Sequence, residues 1–204
     1  MSWFASVEAY AWFRRQWVFW SLAWVMGGMA VAVVAAVAAR HRVARRTGLS
    51  VPAAIGYVAW SGVALAWTAS PRSRGDHYFV FGEARHACNL RLWDSGIATL
   101  VTSPECQFNL LLFVPIGGAA ALAATAPTRR CLLAGAAAVP VAVEAFQYAV
   151  PSLYRVCDTR DLFTNWAGLA LGWAVGRVVA TRRRRTPPTD RPDPATTADP
   201  MSRY

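Results

Sequence analysis

The sequence predicts an all-α membrane protein: a polytopic bundle of about five transmembrane helices, amino terminus outside and carboxy terminus cytoplasmic. The chain of 204 residues is 55% hydrophobic and only 16% charged, and its apolar residues gather in blocks about 20 residues long instead of spreading as in a soluble domain. Its arginines cluster at the ends of those blocks, as the positive-inside rule requires of cytoplasmic loops.

Residues 1–15 form an amino-terminal segment in which Trp3, Phe4, Tyr10, Trp12 and Phe13 suit a short interfacial helix over 3–13. The transmembrane domain follows at 16–181, with spans at 16–39, 50–69, 106–126, 130–151 and 161–180. At about 1.5 Å per residue each reaches across a hydrocarbon core about 30 Å thick. Arg14 and Arg15, the first apolar run and Ala36-Val37-Ala38 also resemble a signal peptide with its cleavage site. The length of that run and the arginines after it argue for a retained span.

Arg40, Arg42, Arg45 and Arg46 follow span one, Arg129 and Arg130 join spans three and four, and Arg182 to Arg185 follow span five. Five spans put all three clusters on one side, which sets the orientation. Trp17, Trp20, Trp67, Tyr148 and Trp166 then fall near the outer interface, where amphipathic rings are common. The outer segment 70–105 is long for a plain connection and reads as a functional or partly folded cap. Residues 182–204, rich in Arg, Pro, Thr and Asp, read as a disordered cytoplasmic tail.

The net charge of +10 comes from 21 basic residues, all of them Arg. They sit at span ends and not on a stripe interleaved with aromatics, which excludes nucleic acid as the expected partner. Of the four cysteines, Cys88, Cys106 and Cys157 fall on the outer side, where any two of them are free to pair, and Cys131 does not. No CxxC, HExxH, GxSxG or P-loop is present, and His41, His77 and His86 read as loop residues. Without an internal repeat the chain is also a poor transporter.

Against this apolar background, Glu144, Gln147, Arg155, Asp158, Asp161 and Asn165 fall within one 22-residue window around the join of spans four and five. An Asp or Arg at mid-helix costs about 2.5–3.5 kcal/mol on insertion, so such groups persist mainly where they face protein or water. Asn109, one turn into span three, lies at the same level. Glu144 and Gln147 share one face of span four, and Asp161, Asn165, Gly168, Gly172 and Gly176 form one stripe on span five. Small residues in such a stripe admit a neighbouring helix closely. Pro115 and Pro140 are expected to interrupt spans three and four and to free carbonyls that a neighbour or water must satisfy.

Asn109-Leu-Leu-Leu-Phe113-Val-Pro115-Ile-Gly117, Glu144-Ala-Phe-Gln147 and Arg155-Val-Cys-Asp158-Thr-Arg-Asp161-Leu-Phe-Thr-Asn165-Trp-Ala-Gly168 resemble the VanZ family of bacterial membrane proteins over about residues 105–176. The resemblance implies a multi-pass protein of the bacterial cytoplasmic membrane with a role in the cell envelope. It also implies a link to low-level resistance to teicoplanin, a lipoglycopeptide, and it brings no established reaction. Carried over by motif, the positions that matter are Asn109, Glu144, Gln147, Arg155, Asp158, Asp161 and Asn165.

Three readings of these residues compete. In the first they hold helices together: Asp161 caps span five, the amides bond between helices, and Arg155 pairs with Asp158. In the second they form an outward-facing polar pocket for a lipid-linked phosphorylated precursor or a lipoglycopeptide. Arg155 and Arg160 would then hold an anion, Asn109, Gln147 and Asn165 would bind, and Glu144, Asp158 and Asp161 would be the candidates for chemistry. In the third, Glu144, Asp158 and Asp161 hold Mg²⁺ or Ca²⁺, although no motif spacing marks a metal site. Membrane lipids are the surrounding partners in every case, and no other cofactor is implied.

Overall fold

The computed structural model describes residues 3–70, 88–90, 103–153 and 155–185. These hold five helices, α1 (Trp3–Thr47), α2 (Val51–Thr68), α3 (Pro104–Ala121), α4 (Ala126–Ala149) and α5 (Thr159–Arg185), and two short strands, β1 (Cys88–Asn89) and β2 (Cys157–Asp158). Most of the cap expected at 70–105, the tail beyond Arg185, His77 and His86 lie outside the described residues.

Helix α1 runs unbroken for 45 residues, well past the span expected at 16–39. It therefore includes His41, which is helical and not in a loop. It stops where Gly48 takes φ 65°, and the Gly48 N–H donates to the carbonyl of Ala44 at 2.8 Å. A left-handed residue just past the last turn is the usual way to end a helix, and glycine adopts it without a Cβ penalty. Buried Leu49 then packs with Ala54 and Ala123, turning the chain back into α2. Gly28 of α1 meets Ala66 and Gly62 of α2 meets Ala32, so small residues bring these two helices together.

Helices α3 and α5 approach most closely. A Cβ on Gly168, Gly172 or Gly176 of α5 would strike the carbonyl oxygen of Leu110, Val114 or Gly118 of α3, the last at 2.6 Å. From the other side, a Cβ on Gly117 would strike the Leu169 carbonyl. Contacts that advance four residues at a time on both chains mean that the two helices run parallel in fixed register. The glycine stripe thus meets α3. A core of Ala64, Leu112, Phe113, Ile116, Ala136 and Leu169 joins α2, α3, α4 and α5 beside this seam.

Neither proline interrupts its helix: α3 continues through Pro115 and α4 through Pro140. Pro140 is fully buried, and in the turn before it the Ala137 carbonyl accepts a 2.9 Å hydrogen bond from the indole N–H of Trp166 on α5. The carbonyl that Pro140 leaves without a donor is that of Ala136, four residues earlier, so the Trp166 bond falls one residue along and ties α5 to the same turn of α4. The Tyr57 hydroxyl of α2 likewise donates to the Leu132 carbonyl of α4 at 2.9 Å.

Large apolar side chains face outward along the bundle, among them Trp24, Val31, Val34, Leu111 and Val175. A soluble monomer rarely exposes contiguous apolar surface on this scale, whereas lipid solvates it.

Replacing Gly172 by Ala should destabilise the bundle by about 1–3 kcal/mol, the usual cost of overpacking, or more because the obstacle is backbone. Gly135→Ala, where a Cβ meets nothing within 4 Å, should be neutral or stabilising by up to about 1 kcal/mol. Thermal unfolding of both variants in the same detergent measures the difference.

Candidate functional site

All seven motif residues lie at one end of the bundle. Glu144 and Gln147 are buried in the last two turns of α4, Asn109 is buried in α3, and Asn165 is buried in the second turn of α5. Asp161 is in the first turn of α5, Asp158 immediately precedes that helix, and Arg155 is in the segment between α4 and β2. The register of the α3–α5 seam sets Asn165 level with the turn of α3 that carries Asn109.

The carboxylate of Glu144 accepts a 2.7 Å hydrogen bond from the Asp158 N–H, which fastens the end of α4 to the start of α5. The charges of Asp161, Asp158 and Arg155 all act on it. Asp158 in turn caps α5. Its Oδ1 accepts from the Arg160 N–H at 2.8 Å, the bond an N-cap side chain makes to the second residue of a helix. The expected cap, Asp161, is one turn too late for this, because the helix already begins at Thr159.

Asp158 Oδ2 meets the Arg160 guanidinium at 2.9 Å and accepts from the Asn89 side-chain amide at 3.1 Å. That carboxylate holds the Arg160 guanidinium above its usual pKa. Arg160, expected to be available for an anion, is thus engaged within the protein. Thr159 also donates to the Asn89 carbonyl at 3.0 Å.

Asn89 arrives there because β1 and β2 pair in parallel with Cys88 opposite Cys157 and Asn89 opposite Asp158. Cys88 and Cys157 are disulfide-bonded across that register, closing a separation of 69 residues. This chooses one of the pairs that the sequence left open. Cys106 is a free, buried thiol and Cys131 a free, exposed one.

The residues missed in the sequence are those at the end of α2. Arg155 donates through Nε to the Ser70 carbonyl at 2.6 Å, and through Nη2 to the Trp67 carbonyl and the Ser70 hydroxyl, both at 2.9 Å. Gln147 donates to the Thr68 carbonyl at 3.0 Å. The last carbonyls of a helix lack intrahelical partners and carry the negative end of its dipole, so a guanidinium and an amide are suitable caps. Thr68-Ala-Ser70 at the close of an apolar run was the available signal, but nothing in it pointed to Arg155, 85 positions away.

Among the described residues nothing hydrogen-bonds the buried Asn165 Oδ1, an arrangement that carries a desolvation cost of about 1–3 kcal/mol. Among the described residues no three His, Cys, Asp or Glu side chains gather into a set able to hold a metal ion.

Leu22–Thr47, Val51–Thr68 and Ala126–Ala149 are each long and apolar enough to cross a bilayer, and the protein is a multi-pass helical membrane protein. It belongs to the VanZ/LLP1 family, whose profile matches residues 50–180. The match is wider than the motif region at 105–176: it takes in α2 and both cysteines of the disulfide. No curated protein and no solved structure shows a match to the chain.

Thiol titration of the denatured, unreduced protein should detect Cys106 and Cys131 alone, with Cys88 and Cys157 appearing only after reduction. Losing this bond through Cys157→Ser should cost about 2–4 kcal/mol. Asp158→Ala should lower stability by about 1 kcal/mol through the cap, while Asp158→Asn keeps most of it; chemical or thermal unfolding of the pair distinguishes them.

Proposed function

We propose that this protein works at the outer face of a bacterial cytoplasmic membrane, crossing it five times with its amino terminus outside and its carboxy terminus inside. The arginine clusters support that orientation, and a disulfide at the polar end fits an oxidising compartment. At that face the polar cluster receives the head of an amphipathic envelope ligand, either a lipid-linked phosphorylated precursor or a lipoglycopeptide of the teicoplanin type. Through this ligand the protein reduces susceptibility to glycopeptides.

Glu144 is the observation that carries the reading: a buried carboxylate, retained in an apolar helix and flanked by Asp161, Asp158 and Arg155. Binding is favoured over chemistry, because both oxygens of Asp158 are engaged in capping α5 and holding Arg160 and Asn89. Asn109, Gln147 and Asn165 then shape the site, with Arg155 setting its edge and Asp161 contributing charge.

A second reading is that the cluster serves helix packing alone, and the bonds from Gln147 and Arg155 to the end of α2 favour it. Glu144→Gln and Arg155→Ala, compared for glycopeptide susceptibility at matched protein level, separate the two. On the binding reading Glu144→Gln abolishes protection with the protein level unchanged. Full protection by both variants would sink it, and loss of protection only in step with loss of protein would leave the packing role.

A further inference from the structure

At the opposite end of the bundle lies a cavity of about 240 Å³ that no part of the polar cluster touches. It opens where α3 turns into α4 and is walled by Ala121–Ala124, by Ser50 before α2, and by Arg129, Arg177 and Arg183. We propose that it is a binding site for a phosphate group, presented by an anionic phospholipid headgroup or by a soluble phosphate.

The charge is one-sided. The acidic residues among the described side chains are Glu105, Glu144, Asp158 and Asp161, all at the other end of the bundle. Arg177, half-buried, and Arg183 form no ion pair with a described residue. Arg129 is pre-positioned: its Nη1 donates to the carbonyls of Ala123 and Ala124 at 2.9 and 3.1 Å, which fixes the guanidinium at the cavity wall. The other N–H groups of that guanidinium make no hydrogen bond to a described residue. A fixed guanidinium fork matches phosphate oxygens well, since less freedom is lost for each bond formed.

The amino ends of α2 and α4 at this level are offset by the carboxy ends of α1, α3 and α5, so the positive field comes from the arginines. The Ser50 hydroxyl makes no capping bond to α2 and is available as a further donor. Small alanines make up much of the remaining wall, leaving room for a headgroup between helices. The volume is below the roughly 300 Å³ at which drug-sized pockets begin, so the occupant is a small polar group and not a whole amphiphile. Basic pockets between helices at a membrane surface suit such headgroups.

The test uses the full chain in a neutral detergent, with thermal unfolding followed during titration with phosphatidic acid, diacylglycerol or inorganic phosphate. Phosphatidic acid should raise the midpoint by about 5 °C and diacylglycerol should not. The Arg177→Gln/Arg183→Gln double variant should lose this shift, and Arg182→Gln, next in the same cluster but outside the cavity wall, should keep it. An equal shift with inorganic phosphate assigns the site to soluble phosphate; a shift with phosphatidic acid alone assigns it to a lipid headgroup. No shift with either phosphate source, or an undiminished shift in the double variant, overturns the proposal. Should the double variant fail to fold, Ala180→Phe fills the cavity without removing an arginine, and a shift that survives it overturns the proposal equally.

Discussion

The backbone contact between α3 and α5 governs the rest of the molecule. With Gly168, Gly172 and Gly176 against the carbonyls of Leu110, Val114 and Gly118, the two helices have one register available. In lipid no hydrophobic force drives helices together, so the close approach that glycine permits supplies the packing. That register sets Asn165 level with Asn109 and carries the start of α5 to the end of α4. Asp158 can then cap α5 while its N–H reaches Glu144. A side chain in this seam would displace the polar cluster as well as the helices.

Around that seam the polar end is closed by groups that each satisfy a particular orphan. The carbonyls at the end of α2 take Arg155 and Gln147, the free N–H groups starting α5 take Asp158, and the Asp158 N–H takes Glu144. The disulfide between Cys88 and Cys157 holds Asn89 against Asp158. Where the backbone leaves regular helix at membrane depth, protein groups must complete its hydrogen bonds. The packing and binding readings therefore overlap physically: the contacts that build the cluster are also those that would hold its charge ready. The arginine-lined cavity at the far end is a different kind of site, with charge that no described carboxylate compensates.

Much of this architecture is legible along the chain. Apolar blocks located four helices with ends off by up to five residues, because burial in lipid selects composition directly. The spacing of Gly168, Gly172 and Gly176 marked a packing face, and the cost of polar groups singled out Glu144, Gln147, Asp161 and Asn165. Two local expectations failed for local reasons. Pro140 was expected to interrupt its helix, yet α4 runs on through it with the proline buried against its neighbours. Asp161 was expected to cap α5, but the helix starts two residues earlier and takes Asp158.

By itself the sequence determined an all-helical membrane chain and which residues are too polar to be there without cause, since both follow from composition or short-range spacing, while its family showed in the resemblance of its motifs. Only the tertiary structure decided which cysteines pair, that α3 is the partner of the glycine face, that the end of α2 belongs to the cluster, and that Arg129, Arg177 and Arg183 share a cavity. Those are contacts between residues tens of positions apart, and no local periodicity encodes which distant helix will supply the partner.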